Sequence, residues 1–90
     1  MIKIVLAEDQ NLLLSALSSL LNLEEDIEVV GTASNGQEAL QLVGEKQPDV
    51  CLMDIEMPMM TGLDAAEQLL GTNCKVIILT TYARPGYFER

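Results

Sequence analysis

Residues 49–58 read DVCLMDIEMP. The apolar residues Val50 to Met53 run directly into Asp54, and Pro58 follows. An unbroken apolar run suits a strand buried on both faces of a parallel sheet. A carboxylate at the end of such a strand is poorly hydrated. Its burial is costly unless something compensates the charge.

Working outward, the same kind of run recurs. IKIVLA (2–7), IEVVGTA (27–33), VCLM (50–53) and KVIILT (75–80) read as strands. Between them, residues 10–23 (QNLLLSALSSLLNL) have helical spacing. Ser34 with Gln37 offers a capping box that opens a helix bearing Ala39, Leu40, Leu42 and Val43 on one side. Gln47-Pro48 ends that unit. Thr61-Gly62-Leu63-Asp64 can cap a helix running through Leu69 and Leu70, and ARPGYFER starts a further element. Strand and helix alternate at short spacing, which predicts one α/β domain with a mostly parallel sheet and right-handed crossovers. In such sheets functional residues gather outside the carboxyl ends of the strands, where the strand order reverses.

The first helix carries more apolar surface than one sheet contact needs. Leu12, Leu13, Leu14, Ala16, Leu17, Leu20, Leu21 and Leu23 cover an arc of roughly 200°, against a stripe of roughly 100° for a helix lying on a sheet. The surplus must meet another helix, a partner chain, or water at a cost.

Composition narrows the function. The chain has 90 residues, enough for one domain with a modest core, and no run of 18 apolar residues to span a membrane. The opening MIKIVLAEDQ meets acids at Glu8 and Asp9, unlike a signal peptide. A net charge of −9 argues against gripping DNA or an anionic membrane through this surface. Cys51 and Cys74 form no CxxC or Cys/His cluster, and there is no histidine. They read as reduced thiols used as small packing residues, in a cytoplasmic protein.

Glu8 and Asp9 follow the first strand, and Asp54 follows the third. In a 2-1-3-4 strand order these strands are neighbours, and three carboxylates converge at the switch point. Their mutual repulsion is relieved by a divalent cation, and oxygen ligands without His or Cys select Mg²⁺ or Mn²⁺. Asp54 is then open to two roles, metal ligand and nucleophile toward phosphorus, singly or together. Thr80 places a hydroxyl on the same rim. Each feature alone has a plainer reading. An acidic pair after a strand is often a helix N-cap, a strand-final Asp often a turn residue, and Thr80 an ordinary strand residue. Met57, Met59 and Met60 read as loop and packing residues. The joint pattern carries the inference.

That pattern resembles the receiver domain of two-component response regulators. Its marks are Glu8-Asp9 at the end of an apolar strand, then Asp54-Ile55-Glu56-Met57-Pro58 with Gly62 beyond, then Val76-Ile77-Ile78-Leu79-Thr80. The text AEDQ, LLNLEED, QPDVCLMDIEMP and ILTTYARPGYFER is similar to the NarL/FixJ class, and the resemblance covers the whole chain. It implies a flavodoxin-like (CheY-like) parallel sheet of order 2-1-3-4 with helices on both faces. It implies that Asp54 is a phosphoacceptor charged from a phosphohistidine on a sensor histidine kinase. Glu8, Asp9, Asp54 and the main-chain carbonyl of Glu56 would hold Mg²⁺, with Thr80 as the switch hydroxyl. Pro58 and Gly62 would shape the following loop, and the Glu56 side chain would sit where the family tunes phosphoryl lifetime.

The chain departs from the family pattern in two ways. Thr81 stands where a small residue is common. The family's fifth strand, with an aromatic switch residue and a phosphoryl-pairing lysine, and its fifth helix are expected beyond residue 90, as is the helix-turn-helix DNA-binding domain of this class. Lys3, Lys46 and Lys75 precede or begin strands, at the wrong end of the sheet to replace that lysine, and Arg84 is a weak substitute. The 90 residues therefore read as a truncated receiver (1–90), expected to self-associate through the KVIILT edge, the first helix or a swapped segment after Thr80. Two rival readings stand beside this one. One is a pseudo-receiver that never carries phosphate. The other is a haloacid dehalogenase-type Mg²⁺ phosphohydrolase, whose DxD motif Asp54-Ile55-Glu56 faintly resembles.

Overall fold

A computed structural model describes residues 1–55 and 62–79. The expectations placed on Glu56, Met57, Pro58, Met59, Met60, Thr61, Thr80, Thr81 and Arg84 lie outside those residues. The elements alternate as expected: β1 (Ile2–Ala7), α1 (Asn11–Asn22), β2 (Ile27–Ala33), α2 (Gly36–Lys46), β3 (Val50–Asp54), α3 (Gly62–Gln68) and β4 (Lys75–Leu79). The four strands form one parallel sheet of order β2-β1-β3-β4. The third strand is one residue longer than its apolar run. Asp54 belongs to the ladder, paired with Leu79.

Central strand β1 is buried from Ile4 to Ala7, because it has strands on either side and helices over both faces. Alternation divides its side chains. Val5 and Ala7 join Cys51, Met53, Ala39, Val43, Ala65 and Leu69 in the core beneath α2 and α3. Ile4 and Leu6 are buried outside that cluster, on the opposite pleat, where α1 packs across β2 and β1. Asp49 ties the lower ends of three strands. Its N–H donates to the Lys3 carbonyl at 2.8 Å, its carboxylate accepts the Lys3 N–H at 2.8 Å, and its carbonyl accepts the Lys75 N–H at 3.0 Å.

The start of α2 corrects the capping expectation. The cap is Asn35, one residue later than Ser34, and its side chain accepts the Glu38 N–H at 2.9 Å. Glu38 replies to Ser34, accepting both its N–H and its hydroxyl at 2.8 Å. The reciprocal logic of a capping box is kept, shifted by one residue, because a carboxylate accepts two donors where Gln37 would offer a neutral amide. α2 ends on Gln47 in the left-handed region (φ 47°). α3 stops at Gln68, earlier than expected, with Leu69 buried in the turn and Leu70 exposed.

The surplus on α1 is real. Leu13, Leu14, Leu17 and Leu21 are half-buried, and none of the helix is fully buried. Leu12, Ala16 and Leu20 form a second, exposed stripe, with Leu12 87% and Leu20 60% accessible. Across the sheet, β4 leaves Ile77 48% accessible.

Candidate functional site

The acids meet where β1 and β3 end side by side. Ala7 pairs with Met53, so the residues that follow, Glu8 just past the end of β1 and Asp54 as the last residue of β3, stand at nearly the same level. The last rung toward β2 is the Glu8 N–H donating to the Ala33 carbonyl at 3.0 Å. Carboxylate oxygens of Glu8, Asp9 and Asp54 all lie within 4.8 Å of one another. Glu8 is 1% and Asp54 5% accessible, while Asp9 faces solvent.

The plain reading of the acidic pair, a cap for α1, does not hold. The cap position is Gln10, without a side-chain capping bond, and the first turn carries no acid. Glu8 instead folds inward. Its Oε2 accepts the Gln10 N–H at 3.2 Å, and its Oε1 is buried without a hydrogen-bond partner among the described residues. Burial, then the facing Asp9 carboxyl, push its pKa from 4.5 to about 7. The Gln10 N–H pulls the other way, and the charge of Asp54 adds to the rise. A buried oxygen without a donor, facing two further carboxylates, is what a site for a cation with hard oxygen ligands requires. Among the described residues the donor set contains neither nitrogen nor sulfur, which fits Mg²⁺ or Mn²⁺ and disfavours zinc.

Of the residues expected at the site, the structure brings together Glu8, Asp9 and Asp54. The Ala33 carbonyl and the Gln10 N–H, which hold Glu8 in place, are main-chain groups. Lys3 and Lys75 lie at the opposite end of the sheet, at the starts of β1 and β4. A groove of about 710 Å³ also lies at that end, between α2 and α3, lined by Leu40, Val43, Leu69 and Cys74, with Asp49 as its one carboxylate among the described residues. It gathers no set of chemical groups comparable with the acids. Both cysteines are free. Burial pushes the Cys51 thiol up to about 12, with the nearby Cys74 adding to the shift, and burial also raises Cys74. Neither is primed as a thiolate.

Parallel strands in the order 2-1-3-4 with three acids at the switch point define a receiver-type sheet. Residues 4–90 match the response regulator receiver domain, and the chain belongs to that family. It is 66% identical over its full length to the transcriptional regulatory protein DesR of Bacillus subtilis (strain 168), covering 45% of that protein. It is 61% identical over 92 residues to the uncharacterized transcriptional regulatory protein YvfU of the same organism, covering 46%. Among solved structures it superposes with a TM-score of 0.88 on a LuxR-family DNA-binding response regulator from Staphylococcus aureus. That match is 44% identical and covers 99% of this chain and 76% of the other. The chain spans under half the length of the curated relatives it matches. No described helix is long and apolar enough to cross a membrane.

Proposed function

We propose that this chain is the phosphoacceptor receiver of a transcriptional response regulator, with Asp54 taking a phosphoryl group from a phosphohistidine on a sensor histidine kinase. The observation that carries the reading is the buried Glu8 Oε1, unpartnered among the described residues and set against Asp9 and Asp54 at the ends of β1 and β3. In the transfer, a carboxylate oxygen of Asp54 forms the new O–P bond as the N–P bond to the histidine breaks. The electron pair of that bond stays on the imidazole, which takes up a proton. Asp54 is suited to this because β3 holds its backbone in the ladder up to the reacting residue. Glu8, Asp9 and Asp54, with the Glu56 carbonyl, would hold Mg²⁺. When bound, the ion would neutralise charge on the transferring oxygens. Thr80 would hydrogen-bond a phosphoryl oxygen. The chain acts as acceptor and assists its own phosphorylation and dephosphorylation, in the cytoplasm.

In a longer regulator, phosphorylation would switch oligomerisation and DNA binding, with DNA contacted by a separate helix-turn-helix domain. The 90-residue chain taken alone should associate with a second copy, because the exposed stripe of α1 and Ile77 of β4 both ask for burial. Sedimentation over a concentration series reads this; a clean monomer at high micromolar concentration refutes it.

The phosphoryl assignment is tested on the intact regulator with Mg²⁺ and acetyl phosphate or phosphorylated kinase, followed by intact mass. Wild type should gain one phosphoryl mass and Asp54→Asn none, since an amide lacks the nucleophilic oxygen anion. A gain on Asp54→Asn overturns the assignment. Mg²⁺ binding without any gain on wild type points to a pseudo-receiver.

A further inference from the structure

The ladder between β1 and β2 is not regular. Ile2, Lys3 and Ile4 pair with Ile27, Glu28 and Val29, but Val5 pairs with Gly31, leaving Val30 as an extra residue. Such a β-bulge breaks the alternation of the strand that carries it, and bulges beside active sites re-aim side chains or end pairing. Here the break is visible in the packing. Val30 packs on the core beneath α2. Gly31 faces α2 as well: a Cβ on it would lie 3.2 Å from both methyls of Leu42. Successive residues of β2 thus address the same helix, and only the first has a side chain. Alternation then resumes. Thr32 lies in the cleft beside α1, and Ala33 returns to the core under α2.

The consequence falls on the acids. With the extra residue absorbed at Val30, Ala33 arrives level with Ala7, and its carbonyl takes the Glu8 N–H. Ser34 follows at once, held by Glu38, and Asn35 caps α2. In an unbulged ladder Thr32 would stand opposite Ala7. Ala33 and the cap would be carried one residue, about 3.3 Å, further along β1. We propose that the Val30–Gly31 bulge, seated against Leu42, is a positioning element for Glu8: it sets the rung that fixes the Glu8 backbone and hence where the buried carboxylate stands relative to Asp9 and Asp54. Its readout through Mg²⁺ rests on the reading of the acids given above. The plainer role of a bulge in an edge strand, keeping that edge from pairing with other chains, makes no claim on Glu8.

The test uses the 90-residue chain carrying Gly31→Val, the same change combined with Leu42→Ala, and Val43→Ala as a core substitution in the same helix. Mg²⁺ is titrated while the amide signals of Glu8, Asp9 and Asp54 are followed, and hydrogen exchange of the Glu8 amide is measured without metal. Gly31→Val should weaken Mg²⁺ binding about tenfold, the size expected when support behind a ligand is lost. It should also strip protection from the Glu8 amide while that of Ile4, before the bulge, is kept. Removing the Leu42 methyls should restore most of both. Val43→Ala should lower the melting temperature and leave both unchanged. Should Gly31→Val not fold, Gly31→Ala, whose Cβ meets the Leu42 side chain first, is read the same way. Unchanged affinity and unchanged Glu8 protection in a folded Gly31 variant overturn the proposal. Absence of any Mg²⁺ response in wild type overturns the metal reading instead, and Glu8 exchange then decides the positioning claim alone.

Discussion

Replacing Glu8 by Gln should stabilise the metal-free protein at neutral pH. Glu8 is almost wholly buried, its Oε1 has no donor among the described residues, and its pKa rises from 4.5 to about 7. Between those values the folded chain keeps a proton that the unfolded chain has lost. Stability therefore falls as pH rises through that window and is level above it. The full difference corresponds to about 3 kcal/mol at 1.36 kcal/mol per pH unit, an upper bound. Gln removes the charge, can still accept the Gln10 N–H through its carbonyl, and offers amide donors to Asp9 and Asp54. The expected gain at pH 7.5 in chelator is up to about 3 kcal/mol, at about 4–8 °C of melting temperature per kcal/mol for a domain of this size. Near pH 4 the gain should vanish, because Glu8 is protonated in both states. In saturating Mg²⁺ it should shrink or reverse, since wild type, with all three carboxylates, recovers more binding energy. Melting both proteins by circular dichroism at pH 4, 5.5 and 7.5, with and without Mg²⁺, measures all of this. Equal stability of the two proteins at every pH without metal would refute the reasoning.

Three further substitutions follow from the helices. Asn35→Ala removes the acceptor of the Glu38 N–H and should cost about 1 kcal/mol in urea unfolding. Gly44 is exposed within α2, and a Cβ there would meet nothing within 4 Å, so Gly44→Ala should raise stability by about 1 kcal/mol through helix propensity. Gln47 holds a left-handed backbone at the end of α2, so Gln47→Gly should gain up to about 1 kcal/mol; a loss would show that the Gln47 side chain makes a contact worth more than the strain.

The sheet was legible because its signal is redundant. Four apolar runs at short spacing leave few ways to bury them, and the run into Asp54 predicts a strand covered on both faces; Cys51 and Met53 are fully buried beneath α2 and α3, while Val50 and Leu52 on the opposite face are half-buried. Boundaries were less legible where local chemistry competes. Ser34 and Asn35 are both good caps, and what decides between them is Glu38, whose carboxylate reaches back to Ser34 only when Asn35 starts the helix. The wide Leu arc of α1 announced more apolar surface than the sheet could take. It could not say which residues would be left outside, because that depends on the angle at which the helix lies on β2.

The site was legible in its acids and silent in their roles. Spacing alone brings Glu8, Asp9 and Asp54 to one rim once the strand order is granted. Which of the adjacent pair turns inward depends on the pleat at the end of β1 and on the Gln10 N–H and Ala33 carbonyl, and main-chain groups leave no trace in residue identity. One trace does stand in the residues of β2. IEVVGTA looks like a plain strand, yet it carries a glycine in its interior, a residue that weakens a strand and often marks a bulge or the close approach of another element. Here it marks both: Val30 is the extra residue, and Leu42 occupies the space a side chain at position 31 would need. The same glycine that looked incidental to the strand therefore lies on the path of contacts from α2 to the buried carboxylate. The extra residue before that glycine, rather than plain alternation along the strand, turns Thr32 toward α1 and brings the Ala33 carbonyl to the Glu8 N–H.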